Sequence, residues 1–223
     1  MTDTISSGLS PRMKMADLVN ASPELLVTMT RFGIAPGFGE STVEECCIRT
    51  GKDSFTFLTI CRIALDPGWK PGADELSGLR VRDLTDFLRS SHDSYKDVWL
   101  PYMEKQIEAT LAARPESQRK VISEFFGKFK LELEKHFALE EKKIFPSLEA
   151  MEGGRPRSFR HEHGEIGEKI QDLISLLLKY LPASGSMYDI TNLLSQFYFL
   201  RHDLAVHSRI EDSLVTALLS SGK

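Results

Sequence analysis

Apolar residues in the second half of the chain return every three or four positions, the spacing that lines one face of a helix. Leu133, Phe137 and Ile144 form one such stripe, and Ile166, Ile170, Leu173 and Leu177 form another. Four longer helical patterns emerge, over roughly 82–112, 117–150, 156–181 and 187–220. The connections between them (AARPES, MEGGRPR, PASGSM) are short, which suits antiparallel neighbours. No run of alternating β-branched and aromatic residues is bounded by hairpin turns. The expected fold is all-α: an up-down-up-down four-helix bundle.

The first 80 residues read differently. Residues 1–12 are polar, and a disordered tail is expected there. Ser22-Pro23-Glu24 offers a cap, a proline at the first helical position and an acid in the first turn, with Gly33 as the stop. Ser41-Thr42-Val43-Glu44 reads as a capping box opening a short helix through Cys47. Asp53 or Ser54 caps a further apolar helix, FTFLTICRIAL. The stretch DPGWKPGADELSG, residues 66–78, holds two prolines and three glycines and breaks the pattern. The boundaries that follow are a tail at 1–12, a small helical domain at 13–66, a linker at 67–79 and the bundle at 80–223.

Composition narrows the function classes. The net charge is −4 with no basic run or stripe, which argues against nucleic acid as a partner. The first fifteen residues lack the apolar core of a signal peptide. The longest apolar stretch, LISLLLKYL, is interrupted by Ser175 and Lys179 and is too short to span a bilayer, so no membrane role is expected. Three cysteines, two of them neighbours, make a poor disulfide framework; a reducing cytoplasm fits best.

Candidate chemistry lies in a pattern that occurs twice. His136 and Glu140 sit four residues apart, and so do His207 and Glu211. Positions i and i+4 leave a helix on one face. His92 precedes His136 by 44 residues, and His163 precedes His207 by the same 44. A single His–Glu pair at this spacing is usually a surface couple worth a few tenths of a kcal/mol. Two pairs on the second and fourth helices, each with a histidine at one offset on the helix before, are what a two-fold dinuclear site demands. Neighbouring candidates are separated by angle. Glu141 and Asp212 lie about 100° round the helix from Glu140 and Glu211. His161 lies nearly opposite His163 and reads as a surface or helix-start residue. His202 is about 140° from His207 and reads as a solvent or outer-sphere group.

The metal set is therefore His92, His136, Glu140, His163, His207 and Glu211. Four imidazoles and two bridging carboxylates leave room on two octahedral ions for an oxo or hydroxo bridge and an exogenous ligand. Mixed nitrogen and oxygen ligation without thiolate favours two iron ions per chain, with manganese or zinc less favoured. It also argues against an iron–sulfur cluster.

These residues carry a resemblance. The bundle resembles the hemerythrin-like HHE cation-binding domains, and the whole chain is similar to the iron–sulfur cluster repair di-iron proteins, the RIC or ScdA/YtfE-like family. The matching motifs are His92 in SSHDSY, the Leu100-Pro101 step, His136 and Glu140 in HFALEEKKIFP, His163 in EHGEI, and His207 and Glu211 in HSRIED. The segment MADLVNASPELLVTMTRFGIAPGFGESTVEECC looks like the family's small N-terminal domain. Two departures stand out. Where the family carries adjacent cysteines after the GI turn, this chain reads Ala-Pro-Gly-Phe-Gly at 35–39; Cys46 and Cys47 come later, one of them fitting the family's downstream cysteine. Hemerythrins that carry oxygen have a fifth histidine four residues after the third-helix ligand, and Gly167 stands there. The resemblance implies a cytoplasmic non-haem di-iron protein that repairs or protects iron centres under oxidative or nitrosative stress, by donating iron or reducing NO. Its partners would be O2, NO or damaged iron–sulfur proteins. The alternative is a sensor or binding module for O2, NO or iron without turnover, and a third reading gives the metal a storage or structural role. Cys46 and Cys47 are expected as packed helix residues, one thiol buried and one exposed. Tyr95, one turn after His92, is expected in the core, with a place near the metals as the sharper reading. Phe38 is expected in a turn, anchoring the head on an apolar neighbour, and that small domain leaves room for a homodimer.

Overall fold

The computed structural model describes residues 8–112, 114–150, 159–181 and 186–221, with the side chains of 159–162 and 221 outside the description. The first seven residues of the expected tail, the whole MEGGRPR connection, most of PASGSM, and the side chain of His161 fall outside it. The described residues are helical, and their only β feature is one antiparallel bridge, Lys14 to Thr42. The chain divides into two compact units. One comprises Met1–Ser91, Phe145–Pro156 and Val206–Lys223; the other comprises His92–Ile144 and Arg157–Ala205.

The first unit opens with α1 (Met15–Ala21), α2 (Leu25–Arg31), α3 (Val43–Arg49), α4 (Ser54–Leu65) and α5 (Ala73–Ser77). Caps set their starts. Asp53 accepts a 2.7 Å bond from the Thr56 amide and caps α4, as expected. The capping box of α3 is Thr42 with Glu45, one residue later than the Ser41–Glu44 reading. Both residues of the observed box satisfy the three-residue spacing, and the Lys14–Thr42 bridge fixes the chain just before it. The expected Ser22 side-chain cap is absent: α2 begins after Glu24, and the Ser22 carbonyl accepts from Leu25. Gly33 turns the chain out of α2 at φ +74°, a conformation in which a Cβ is strained. Phe32 meets Phe57 edge-on at 5.1 Å and Phe87 at 5.3 Å, forming the centre of this unit's core with Met15, Leu18 and Met29. Phe38, between two glycines with positive φ, is half-buried.

The start of α6 (Val81–Asp93) is tied to α4 by polar contacts. Asp83 accepts from the Asp53 amide at 2.7 Å, the Arg80 amide donates to Thr56 Oγ1 at 2.9 Å, and Lys52 reaches Asp86 at 2.8 Å. The stretch expected as a linker contains α5 and an Asp66 side chain that accepts from the Gly68 and Trp69 amides.

The second unit is built on α7 (Leu100–Leu111), α8 (Glu116–Leu139), α10 (Phe159–Tyr180) and most of α11 (Met187–Ile210); α9 (Phe145–Glu149) and α12 (Thr216–Ser221) belong to the first unit. Its core runs through all four helices, from Met103 and Ile107 to Phe126, Phe129 and Leu133, then Ile170 and Leu173, then Leu193 and Phe197. Cross-helix pairs give the directions. Glu104 meets Lys130, Glu132 meets Lys169, Arg114 donates to the Tyr180 and Leu181 carbonyls, and Arg201 meets Gln171. Trp99 stacks on Phe199 at 5.1 Å, and Tyr102 contacts Gln196. Glu104 lies in the first half of α7 and Lys130 in the second half of α8, Arg114 precedes α8 and meets the end of α10, and Trp99 precedes α7 and meets Phe199 in the second half of α11, so the four alternate in direction. That is the up-down-up-down bundle read from the sequence.

Candidate metal centre

Three π-helical turns interrupt the long helices: Ser94–Trp99 between α6 and α7, Glu140–Ile144 after α8, and Glu211–Val215 after α11. The first two precede a proline by two residues, Pro101 and Pro146. A proline inside a helix lacks an amide donor and presses on the carbonyl four residues back, and a wider turn relieves both. The two prolines were the available sequence signal. The third turn has no proline. It shares a different property with the second: each begins on the glutamate of a His–Glu pair and runs five residues.

In the second unit four of the six expected residues converge. Glu140 is fully buried, and three imidazoles point their Nε2 atoms at its carboxylate. His136 Nε2 lies 2.9 Å from Oε1, His163 Nε2 lies 3.7 Å from the same oxygen, and His92 Nε2 lies 3.2 Å from Oε2. The candidate ligand atoms of His136, Glu140 and His163 all lie within 4.8 Å of one another. The two oxygens of one carboxylate thus serve different imidazoles: a pair, His136 and His163, on one side and His92 on the other. The paired rings stand edge to face, 5.0 Å apart at 85°. Burial alone would push the Glu140 carboxyl up, but the imidazoles of His136, His163 and His92 outweigh it and hold it well below the usual range.

His92 is clamped further. Its ring stacks on Phe137 at 4.0 Å and 15°, and its Nδ1 donates to Glu141 Oε1 at 2.9 Å. Lys96 reaches the same oxygen at 3.2 Å. Hydrogen bonding from His92, against a smaller effect of burial, with Lys96 adding to it, brings the Glu141 carboxyl down to about 2. Angle on an ideal helix had set Glu141 aside, and it is indeed not aimed with Glu140. It reaches the other nitrogen of the same histidine, across a π-helical turn whose geometry the ideal angle does not describe. Tyr95 is fully buried and stacks on Phe137 at 5.6 Å, as a core residue. A cavity of about 350 Å³, lined by Glu132, Lys135, Leu139, Glu165, Ile166 and Lys169, has His136 in its wall.

The remaining pair lies in the first unit, where His207 Nε2 is 3.2 Å from Glu211 Oε1 and both residues are buried. His202 is exposed and Asp212 is half-buried. The cysteines depart from expectation: Cys46 and Cys47 are both fully buried, as is Cys61. Helix α3 packs two adjacent positions inward because it is covered by α4 on one flank and by the chain before it on the other. Burial, reinforced by Cys46, pushes the Cys47 thiol up to about 12, and burial raises Cys61 well above its ordinary value.

Buried imidazoles around a buried carboxylate, with no sulfur, are a cation-binding donor set for a borderline or hard transition metal. Comparison with family models agrees, matching the hemerythrin HHE cation-binding domain over residues 80–219. The chain belongs to this family. A search of curated proteins finds no match. Within the hemerythrin HHE family, the matched span takes in every one of the six residues. Among the described residues, no helix is long and apolar enough to cross a membrane.

Proposed function

We propose that this HHE protein is a non-haem di-iron protein of the iron–sulfur cluster repair type, which protects or repairs iron centres damaged by oxidative or nitrosative stress. The observation that carries it is the Glu140 carboxylate, whose two oxygens face different imidazoles at 2.9–3.7 Å. A carboxylate so flanked suits a bridge between two ions. The repeat in the sequence supplies the rest. A two-fold operation that exchanges the His136–Glu140 and His207–Glu211 pairs also exchanges His163 and His92. By that repeat, His136 and His163 would hold one ion and His92 and His207 the other, with Glu140 and Glu211 supplying the carboxylates. The complete set is His92, His136, Glu140, His163, His207 and Glu211.

Iron in such a site would supply redox chemistry with small diatomic ligands. The residues do the rest: imidazoles leave positions for exogenous O2 or NO, and the buried carboxylates balance the cations' charge. Gly167 in place of a fifth histidine turns the reading away from oxygen carriage. Damaged iron–sulfur proteins are the proposed partners and the cytoplasm the proposed compartment.

A second reading, a sensor of O2, NO or iron without turnover, is favoured by the cysteines. The family's cysteine pair is missing at 35–39, and the three thiols present are buried. Metal content per chain, followed by exposure of the reduced protein to O2, azide and NO, tests both. Two irons with catalytic NO consumption support repair or protection, and stable adducts without turnover support the sensor. Two zinc ions with iron near zero would sink both.

A further inference from the structure

Two consecutive glutamates bracket one imidazole. Glu140 Oε2 lies 3.2 Å from His92 Nε2, while Glu141 Oε1 lies 2.9 Å from Nδ1 of the same ring. On a regular helix adjacent side chains diverge by about 100°, so two neighbours rarely grip opposite edges of a third residue. Here they sit at the start of a π-helical turn, facing a ring already fixed flat against Phe137. Lys96, one turn beyond His92, holds the same Glu141 oxygen at 3.2 Å and is itself 3.3 Å from Asp93. The outer carboxylate is thus fastened to the helix that carries the histidine it serves.

We propose that Glu141 is the positioning residue for His92, and through it for one metal position of the two. This rests on the dinuclear reading above. The carboxylate only accepts, so Nδ1 must carry the hydrogen. That leaves the Nε2 lone pair to the cation, and it fixes the ring's rotation about the Cβ–Cγ bond. The other metal position, beside His136 and His163, is not touched by Glu141. Occupancy of the two positions therefore depends on this residue unequally.

The test compares wild type with Glu141→Ala, Glu141→Gln and, as a control on the outer anchor, Lys96→Met. Chelator competition on the iron-loaded proteins should show Glu141→Ala releasing one of two ions roughly 10–100-fold more readily, with the second ion held as in wild type. Glu141→Gln, whose amide oxygen still accepts, should lie between, and Lys96→Met, which loosens the outer anchor but keeps the carboxylate, should fall between Glu141→Gln and wild type. A second readout needs no variant. In the zinc-loaded, diamagnetic wild type, nitrogen NMR should find His92 as the Nδ1–H tautomer with a slowly exchanging proton. Rapid exchange of that proton, an Nε2–H tautomer, or equal release of both ions from Glu141→Ala would overturn the assignment. Wild type that binds no metal would instead overturn the dinuclear reading, so the two failures are distinct.

Discussion

Each unit of the chain buries a cluster of groups able to bind metals, and the clusters are of opposite kinds. In the second unit, imidazoles are aimed at a carboxylate that would be intolerable in the core without them. In the first, Cys46, Cys47 and Cys61 are fully buried as free thiols, and Arg49 donates to the Cys46 sulfur at 3.1 Å. An ionised carboxylate removed from water costs several kcal/mol unless partners compensate, and a neutral thiol costs little. Burial alone therefore does not mark a working site. Convergence of donors on a charge does.

Removing that charge is the most damaging change available. Glu140→Ala takes away the group on which His92, His136 and His163 converge, and metal content should fall well below half the wild-type value. Loss of affinity should exceed the roughly 10–100-fold typical of an outer-sphere change. Glu211→Ala should have the same consequence if the repeat makes one site of the two pairs. Elemental analysis after dialysis checks both; retention of the wild-type metal content by Glu140→Ala would dissolve the contrast between the units.

The thiol cluster should respond in stability and not in metal. Cys47→Ser places a hydroxyl in a fully buried position and should cost about 1–3 kcal/mol in chemical denaturation. Metal content should stay at the wild-type value. Loss of metal from this variant would mean that the cysteines belong to the chemistry after all.

The helices, their alternation, the convergence of His92, His136 and His163 on Glu140 and the His207–Glu211 contact were legible because each is written in spacing: three and four for the stripes, four for the His–Glu pairs, 44 for the upstream histidines. What was not legible depends on departures from ideal geometry. Glu141 was set aside by an angle that holds for a regular helix and fails on a π-helical turn. The burial of both Cys46 and Cys47 follows from helix α3 being covered on two flanks, a tertiary fact that a seven-residue segment does not encode. The capping box slipped one residue because Ser41 and Thr42 both begin an acceptable motif, and the bridge to Lys14 favours the second.

Alkaline pH sharpens the same comparison through the thiols. Burial raises Cys47 from 9.0 to about 12, so its contribution is complete below pH 9 and is lost as pH rises through 12. Native protein should resist a thiol reagent at pH 8 and react only on unfolding. Above pH 9 its stability should fall by up to about 1.4 kcal/mol per pH unit for each such thiol. A Cys47→Ala variant should show a shallower decline, measured by urea midpoints from pH 8 to 10.5. Equal slopes would show that the thiol is not protected as its surroundings imply.

The smallest effect expected concerns a carboxylate of the first unit, which separates charge as such from convergence of metal donors. Glu149 accepts from Arg89 and from the Thr85 hydroxyl, each at 2.6 Å, and Arg89 also lies over the Phe145 ring at 5.4 Å. Here the partner is a guanidinium, which cannot bind a cation and already neutralises the acid. Arg89 holds the Glu149 carboxyl below its ordinary value, with burial opposing and Thr85 assisting. The folded value is the lower one, so the stabilisation is present above the unfolded value near 4.5 and is lost as pH falls through the folded one. The pair is partly exposed, and solvent screening keeps its worth to about 1 kcal/mol or less. Glu149→Gln should therefore lower the urea midpoint slightly at pH 7, match wild type near pH 3, and leave metal content at the wild-type value. A loss of metal from Glu149→Gln as large as from Glu140→Ala would show that any paired acid supports the site, and that the converging imidazoles are not what selects it.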